Sequence, residues 1–176
     1  GAQADAQAGE VGRGETGAVE EVPDHGGEAG AADGSLQIFD AVSGSQKGTF
    51  GGHDHGVTSV DISEDGEWLA SSGRDGAVRV WNASTAEIRT EFLGHEGAVQ
   101  AVAFTPDGKA VVSAGDDGSV RLWPLNDVDL PVQFGREEDA VSALAVSSDG
   151  RFVVSGGWNN SVTVWSLARR AELRRM

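Results

Sequence analysis

Residues 94–123 read GHEGAVQAVAFTPDGKAVVSAGDDGSVRLW, and this stretch decides the fold. Its landmarks are a Gly-His pair, two Asp-Gly pairs and a closing Trp, and they recur at a spacing of 42 residues. The preceding copy carries them at Gly52-His53, Asp65-Gly66, Asp75-Gly76 and Trp81. The following copy keeps Asp149-Gly150 and Trp165, with Glu137 in place of the His and Asn159 in place of the second Asp. A fixed period of this length is typical of a repeat protein in which neighbouring copies share a core.

Composition argues against several kinds of partner and site. The 176-residue chain has a net charge of −15, so it lacks the basic surface that nucleic-acid backbones and anionic membranes require, and we expect neither as a partner. The absence of cysteine removes disulfide frameworks and thiolate zinc sites. It is also compatible with a reducing compartment, so the location is unknown, with the cytoplasm favoured.

Residues 1–32 differ in composition from the rest of the chain. They contain no aromatic residue, no Leu and no Ile, and they are rich in Gly, Ala and Glu. Such a segment buries too little apolar surface to offset its ordering entropy, so we interpret it as a flexible acidic segment. The alternative is a decayed repeat, because Val19 and Val22 copy the spacing of Val99 and Val102. The repeat domain is predicted to occupy residues 33–176.

Each copy begins with a strand that has an irregular apolar pattern. Val99, Val102 and Phe104 are separated by three and then two residues, and both neighbouring copies repeat this skip. A β-bulge near the start of the strand would produce it. The Asp-Gly pair that follows predicts a tight hairpin turn in which both residues adopt positive φ.

Three more strands are predicted in each copy. The second strand precedes another tight turn, and the third alternates apolar residues up to the Trp, as at Val120 and Leu122. Fourth strands are marked by aromatic residues 42 apart, with Met176 as the next member of the series: Phe50, Phe92 and Phe134. Four antiparallel strands in about 42 residues make one blade of a β-propeller.

These residues resemble the WD-repeat β-propeller family. The resemblance is carried by Gly94-His95, Pro106-Asp107-Gly108, Asp117-Gly118 and Trp123, and it covers residues 33–176. It implies an all-β fold, a partial ring of four-stranded antiparallel blades. Three blades are complete, from about residue 46 to Met176, and one third strand of another blade precedes them. The chain departs from the family signature in the residue after each Trp, which is not Asp in these copies: Asn82, Pro124 and Ser166.

The resemblance also implies a hydrogen-bonded structural network in each blade. Its members are a His, a Ser of the second strand, a turn Asp and the Trp. In two copies these positions are His53, Ser71, Asp75 and Trp81, and then His95, Ser113, Asp117 and Trp123. The last copy keeps Ser155 and Trp165, which we expect to have weaker partners and to make this blade the least rigid. A buried Trp N–H, hydroxyl or imidazole costs about 1–3 kcal/mol when unpaired, which favours a closed chain of bonds.

A catalytic or metal site is not predicted. Ser71, His53 and Asp75 could suggest a triad, but the same trio recurs in the next copy, and no Gly-x-Ser-x-Gly elbow is present. His53 and His55 lack a third metal ligand at a fixed spacing. We predict no cofactor. Trp68 is interpreted as core or inter-blade packing rather than as part of a site.

Candidate partner-binding residues lie on the turns and strand starts that have no evident structural role. The residue before each turn Asp varies among the copies, and in the family this position faces the surface where protein or peptide partners bind. The positions are Arg74, Asp116 and Trp158. Trp158 is the strongest candidate because an exposed Trp is a frequent interface anchor, although packing against a neighbouring blade is an equal alternative. The same surface is expected to be bordered by Thr58, Gln100 and Ser142.

By resemblance, the predicted function is a non-enzymatic scaffold that mediates protein–protein interaction. The alternative is a regulatory or sensor propeller domain attached to an enzyme, such as a kinase, protease or NTPase, outside this segment. A propeller enzyme with a channel site is disfavoured because the starts of the first strands carry Val, Ala and Gly. Three blades leave open apolar sheet faces, so we also expect contact with other blades of a parent propeller or self-association.

Overall fold

The computed structural model describes residues 18–21, 34–39, 44–126 and 128–176, and in these ranges the secondary structure is strand and turn. The described residues form four antiparallel sheets, which follow one another along the chain. Sheet 1 contains β1 (Ala18–Glu21), β2 (Leu36–Phe39) and β3 (Gln46–Phe50). Sheet 2 contains β4 (Val57–Ile62), β5 (Trp68–Gly73), β6 (Ala77–Asn82) and β7 (Ile88–Leu93).

Sheets 3 and 4 repeat the four-stranded arrangement of sheet 2. Sheet 3 contains β8 (Val99–Phe104), β9 (Ala110–Gly115), β10 (Ser119–Pro124) and β11 (Val132–Arg136). Sheet 4 contains β12 (Val141–Val146), β13 (Phe152–Gly157), β14 (Val162–Ser166) and β15 (Ala171–Arg175). In each sheet the strands pair in chain order, which is an up-and-down blade. The predicted all-β fold of four-stranded antiparallel blades is confirmed.

The predicted bulges lie at the start of the first strand of each complete blade. The register against the second strand shifts between Val57 and Ser59 in sheet 2. It shifts at the corresponding places in the other two sheets, between Val99 and Ala101 and between Val141 and Ala143. A bulge places two residues of one strand opposite one residue of its partner, which explains the skip in the apolar pattern.

The Asp-Gly hairpins differ from the prediction in their backbone conformation. Only the Gly of each pair has positive φ, with 72° at Gly66, 65° at Gly108 and 67° at Gly150. The prediction of positive φ at both residues is therefore wrong. The reason is that the loop between the paired residues Ser63 and Trp68 has four residues rather than two, because the Ser63 N–H donates to the Trp68 carbonyl and the Gly66 N–H donates to the Ser63 carbonyl. Asp65 instead accepts hydrogen bonds from the Ser63 hydroxyl and the Glu67 N–H.

Sheet 1 contains three strands, whereas the repeat landmarks predict only two of them, β2 and β3. Strand β1 pairs antiparallel with β2, with Ala18 opposite Phe39 and Glu21 opposite Leu36. These four residues belong to the segment whose composition predicts flexibility and which the alternative interpretation assigns to a decayed repeat. Residues 1–17 and 22–33 lie outside the described residues, and the flexible segment remains a prediction there.

Each sheet packs face to face against the next through an apolar cluster. Leu36 and Phe50 of sheet 1 join Leu69 and Trp81 of sheet 2. The second cluster joins sheets 2 and 3 through Val78, Val80, Val99, Phe104 and Trp123, and the third joins sheets 3 and 4 through Val112, Val120, Val141, Val153 and Trp165. The three aligned Trp residues therefore occupy equivalent places. Each of them lies beside a Phe of the preceding sheet, in the pairs Phe50–Trp81, Phe92–Trp123 and Phe134–Trp165.

Hydrogen bonds also join the first strands of sheets 2 and 3. The Phe104 N–H donates to Asp61 Oδ2 at 2.7 Å, and the Thr58 hydroxyl donates to the Val99 carbonyl. Burial raises the pKa of Asp61, while the hydrogen bond from the Phe104 N–H acts in the opposite direction. Side chains of one blade thus satisfy backbone groups on the edge of the next.

Candidate functional site

The turns of each blade gather at two opposite ends of the sheets. We call the end that carries the turns at residues 74–76, 116–118 and 158–160, together with the loops that precede β4, β8 and β12, the top end. The bottom end carries the Asp-Gly hairpins and the connections between the third and fourth strands. This division follows from antiparallel pairing in chain order, because successive connections alternate between the two ends.

In sheet 2 the four predicted network residues are within hydrogen-bonding distance of one another. The Trp81 Nε1–H donates to Ser71 Oγ at 2.8 Å, and Ser71 Oγ lies 2.8 Å from His53 Nε2. His53 Nδ1 lies 3.0 Å from Asp75 Oδ1. His53 Nδ1 faces both the Asp75 carboxylate and Arg79 Nη1, which lies 2.6 Å away. A carboxylate favours a proton on the ring nitrogen that faces it, so we assign Nδ1 as the donor to Asp75 and Nε2 as the acceptor from the Ser71 hydroxyl. The chain of bonds runs from the buried indole to the carboxylate at the top end.

The electrostatics of this network keep the imidazole neutral and the carboxylate charged. Burial lowers the pKa of His53, and this effect outweighs the neighbouring Asp75, which raises it. Burial would raise the pKa of Asp75, but hydrogen bonds from Arg79 and His53 outweigh it and hold that pKa below its ordinary value. A neutral imidazole with one donor and one acceptor nitrogen is what the chain of bonds requires.

Arg79 is a member of this network that the sequence reasoning missed. It lies in β6, two residues before Trp81, and is almost completely buried. Its Nη1 donates to Asp75 Oδ2 at 2.6 Å, and its Nη2 lies 2.5 Å from Glu91 Oε1 in β7. The signal was present in the repeat, because Arg121 occupies the same position 42 residues later.

Sheet 3 repeats the arrangement with an additional hydroxyl. Trp123 Nε1 donates to Ser113 Oγ at 2.6 Å, and Ser113 Oγ lies 2.7 Å from His95 Nε2. His95 Nδ1 lies 3.0 Å from Asp117, which also accepts a bond from the Ser119 hydroxyl. Burial opposes ionisation of Asp117, but the hydrogen bonds from His95, from backbone N–H groups and from Ser119 lower its pKa to about 2.

Sheet 4 departs from this arrangement in the outer half of the network. The inner half is intact, since Trp165 Nε1 donates to Ser155 Oγ at 2.7 Å and Ser155 donates to Glu137 Oε1 at 2.8 Å. Trp165 and Ser155 therefore keep hydrogen-bond partners, because Glu137 Oε1 reaches the hydroxyl that a His ring nitrogen contacts in the other two sheets. That these partners are weaker stays a prediction. Glu137 Oε2 is buried without a hydrogen-bond partner among the described residues, and it faces Arg175 Nη2 at 3.5 Å. Asn159 instead accepts hydrogen bonds from Ser161 within its own turn.

Each of the Ser hydroxyls that could suggest a nucleophile is buried inside a sheet. Ser71 and Ser113 are completely buried and already bonded to an indole and an imidazole. A substrate would have to enter the core of a blade to reach them. Within the described ranges, no three His, Cys, Asp or Glu side chains are placed to hold a metal ion. His55 is exposed, and His53 is held in the network.

Trp158 is the most prominent side chain at the top end. It lies in the turn between β13 and β14 and is 74% exposed. Its backbone N–H donates to the Ala140 carbonyl, which ties this turn to the loop before β12. In the described structure the indole is therefore presented to solvent on a turn with a fixed backbone, while packing against a further blade stays an open alternative.

The other two turn candidates are charged and exposed. Arg74 and Asp116 take the position that Trp158 takes in sheet 4. Gln100 at the start of β8 donates its Nε2–H to Asp116 Oδ1 at 2.8 Å, so these two candidates lie side by side. Arg74 is held through its backbone N–H, which donates to the Gly56 carbonyl.

The two remaining candidates differ in how free their hydroxyl groups are. Thr58 is half-buried, and its hydroxyl bonds to Val99 of the next sheet and to Ser72. It holds two sheets together and has little capacity left for a partner. Ser142 occupies the equivalent position in β12, is exposed and has a weak bond at 3.4 Å to the Gly156 carbonyl.

The fold and the repeated networks define a protein built from β-propeller blades, in which polar side chains stabilise each sheet from within. The family model for the WD domain, G-beta repeat, matches the chain three times, at residues 44–82, 86–124 and 131–166. The chain therefore belongs to the WD-repeat family. Each match begins near a fourth strand and ends at or just after an aligned Trp, so it covers strands of two consecutive sheets.

A search of curated proteins found no match to the chain. Within the described residues, no helix is long and apolar enough to cross a membrane.

Proposed function

We propose that this protein is a non-enzymatic scaffold that binds a protein or peptide partner at the top end of its blades, with Trp158 as an anchor. WD repeats imply a protein-interaction propeller module. The observation that supports this surface is the indole of Trp158, exposed on a turn whose backbone is bonded to Ala140. Tryptophan is enriched among the residues that contribute most to binding at protein interfaces, because it buries a large rigid surface.

The surroundings of Trp158 support a partner with complementary charge. Exposed carboxylates lie on the neighbouring top-end loops, at Asp116, Glu138 and Asp139. Glu138 is loosely paired with Arg175 at 3.7 Å, and surface pairs of this kind contribute little energy. An acidic rim around an aromatic anchor favours a basic segment and accelerates its encounter at low salt.

The test compares wild type with Trp158→Ala in a quantitative pull-down, followed by titration calorimetry on each captured partner. If Trp158 is the anchor, its truncation weakens binding by about 2 kcal/mol or more. Leu130→Ala is the matched control, because Leu130 is a large apolar side chain that is exposed at the bottom end. Equal affinities of wild type and Trp158→Ala for every partner would show that Trp158 is not part of the binding surface.

We also propose that the outer face of sheet 4 contacts a further blade, in a parent propeller or in a second copy. Its apolar residues are the repeat equivalents of sheet 3 residues that sheet 4 covers. Val112 and Val120 are completely buried, whereas Val154 is half-buried and Val162 is 41% exposed. An open apolar face on a blade favours association, since burial of such surface removes it from water.

A further inference from the structure

A cleft of about 610 Å³ lies between sheets 3 and 4 at the bottom end. Apolar and charged side chains both line it. The apolar lining includes Pro106, Ala110, Leu122 and Leu167. Exposed charged side chains lie at its rim: Asp107, Lys109, Asp149 and Arg170. Pockets of about 300–1,000 Å³ are typical of sites that hold small ligands or side chains. The cleft is at the opposite end of the sheets from Trp158, so it is independent of the surface proposed above.

The equivalent position between sheets 2 and 3 is occupied by a side chain, and this side chain indicates what the cleft between sheets 3 and 4 could accommodate. Trp68 lies 42 residues before Ala110, and its ring packs against the cluster that joins sheets 2 and 3. The guanidinium of Arg89 lies 4.3 Å from the centre of the Trp68 ring. Arg89 also donates to the Leu125 carbonyl at 3.0 Å, which links the ring to the wall formed by the next sheet.

The two inter-blade interfaces have similar wall residues at the bottom end, but they differ in the side chains that occupy the space between the walls. Leu122 and Leu167 of the cleft are the repeat equivalents of Val80 and Leu125. At the position of Trp68, however, sheet 3 has Ala110, and Pro131 stands at the position of Arg89. The indole and the guanidinium are both missing from the second place, so the same inter-blade interface contains an open cleft.

We propose that this cleft binds an indole side chain of a partner polypeptide, in the place that Trp68 fills between sheets 2 and 3. The cleft continues an inter-blade interface that already accepts this ring, and its apolar walls suit a large flat surface. The Asp149 carboxylate at the rim can accept the indole N–H, a donor that needs a partner when buried. Arg170 at the rim supplies the cation that Arg89 supplies to Trp68.

The test uses N-acetyl-L-tryptophanamide as the probe and amide chemical shifts of the ¹⁵N-labelled chain as the readout. The expected result for wild type is a saturable set of shifts that centres on Ala110 and Leu167. Ala110→Trp places the missing ring in the cleft and abolishes these shifts. Ala145→Trp is the control, because Ala145 is exposed on β12 and does not line the cleft, and this variant keeps them.

The reciprocal variant Trp68→Ala opens a second cleft between sheets 2 and 3. It is expected to add a second set of shifts around Val80 and Leu125, with the first set unchanged. N-acetyl-L-alaninamide should shift neither set. The proposal is overturned if wild type shows no saturable shifts around Ala110, or if Ala110→Trp binds the probe as wild type does. These two results decide the question even if Trp68→Ala fails to fold, and neither depends on what Trp158 binds.

Discussion

At the residue scale, the aligned Ser side chains connect two buried groups that cannot be left unpaired. Ser71 accepts a bond from Trp81 and donates to His53, while it is itself fully buried. The resemblance to WD repeats implied these contacts, and the residue types support them because each type supplies one donor or acceptor that the next one needs. The burial of Arg79 in the network was not predicted, because an arginine in a strand usually has a solvated side chain. Its burial depends on Asp75 and Glu91, which come from different parts of the sheet.

Ser71→Ala is expected to lower the free energy of unfolding by about 1–3 kcal/mol, because the Trp81 N–H and His53 Nε2 both lose their buried partner. Chemical denaturation followed by Trp fluorescence measures the change. Ser84→Ala is the matched control, since Ser84 is exposed in the turn after β6, and it should be close to neutral. Equal effects of the two substitutions would contradict the network's stabilising role.

At the scale of the element, sheet 4 is the blade in which the network is incomplete. Glu137 replaces the His and Asn159 replaces the Asp, and the two residues bond to different partners. In sheets 2 and 3 the network ties the loop before the first strand to the turn before the third. In sheet 4 the countercharge for Glu137 comes instead from Arg175 of β15, at 3.5 Å. Sequence could show that two landmarks had changed, but the Glu–Arg contact requires β14 and β15 to be paired.

The amides of β13 and β14 are expected to exchange hydrogen faster than those of β9 and β10, because local opening is easier where fewer buried bonds must break. Hydrogen exchange measured by mass spectrometry or NMR gives the comparison. The variant with both Glu137→His and Asn159→Asp restores the residue types of sheets 2 and 3 and should slow exchange in sheet 4. Equal protection of sheets 3 and 4 in wild type would show that the replacement costs no local stability.

At the scale of the whole molecule, four sheets pack in chain order, and each Trp lies at the face toward the preceding sheet. The 42-residue period predicted this arrangement, because identical landmarks require identical surroundings in every copy. Only the alternative of a decayed repeat allowed for a strand at β1, since the sequence AVEE carries little apolar signal and the pairing of β1 with β2 is a tertiary contact. The same period predicts that the outer face of sheet 4 is apolar, because its residues are the repeat equivalents of residues that are buried in sheet 3.

Wild type is expected to associate with increasing concentration, because Val162 and its neighbours on sheet 4 expose apolar surface. Val162→Glu should reduce this association, since a charge on that face resists burial. Light scattering coupled to size-exclusion chromatography measures it. Val128→Glu is the control, because Val128 is 88% exposed in a loop away from that face. A wild-type chain that stays monomeric at all concentrations would contradict self-association through this face.

The sequence by itself determined the repeat period, the bulged first strands and the four residue types of the networks in sheets 2 and 3. These features depend on local backbone geometry and on the matching of hydrogen-bond donors to acceptors, and short segments of the sequence specify both. The tertiary structure alone decided that Arg79 is buried, that Glu137 bonds to Ser155, and that a cleft opens beside Ala110. Each of these depends on which side chains from distant strands or neighbouring blades share one space, and packing settles that only when the sheets come together.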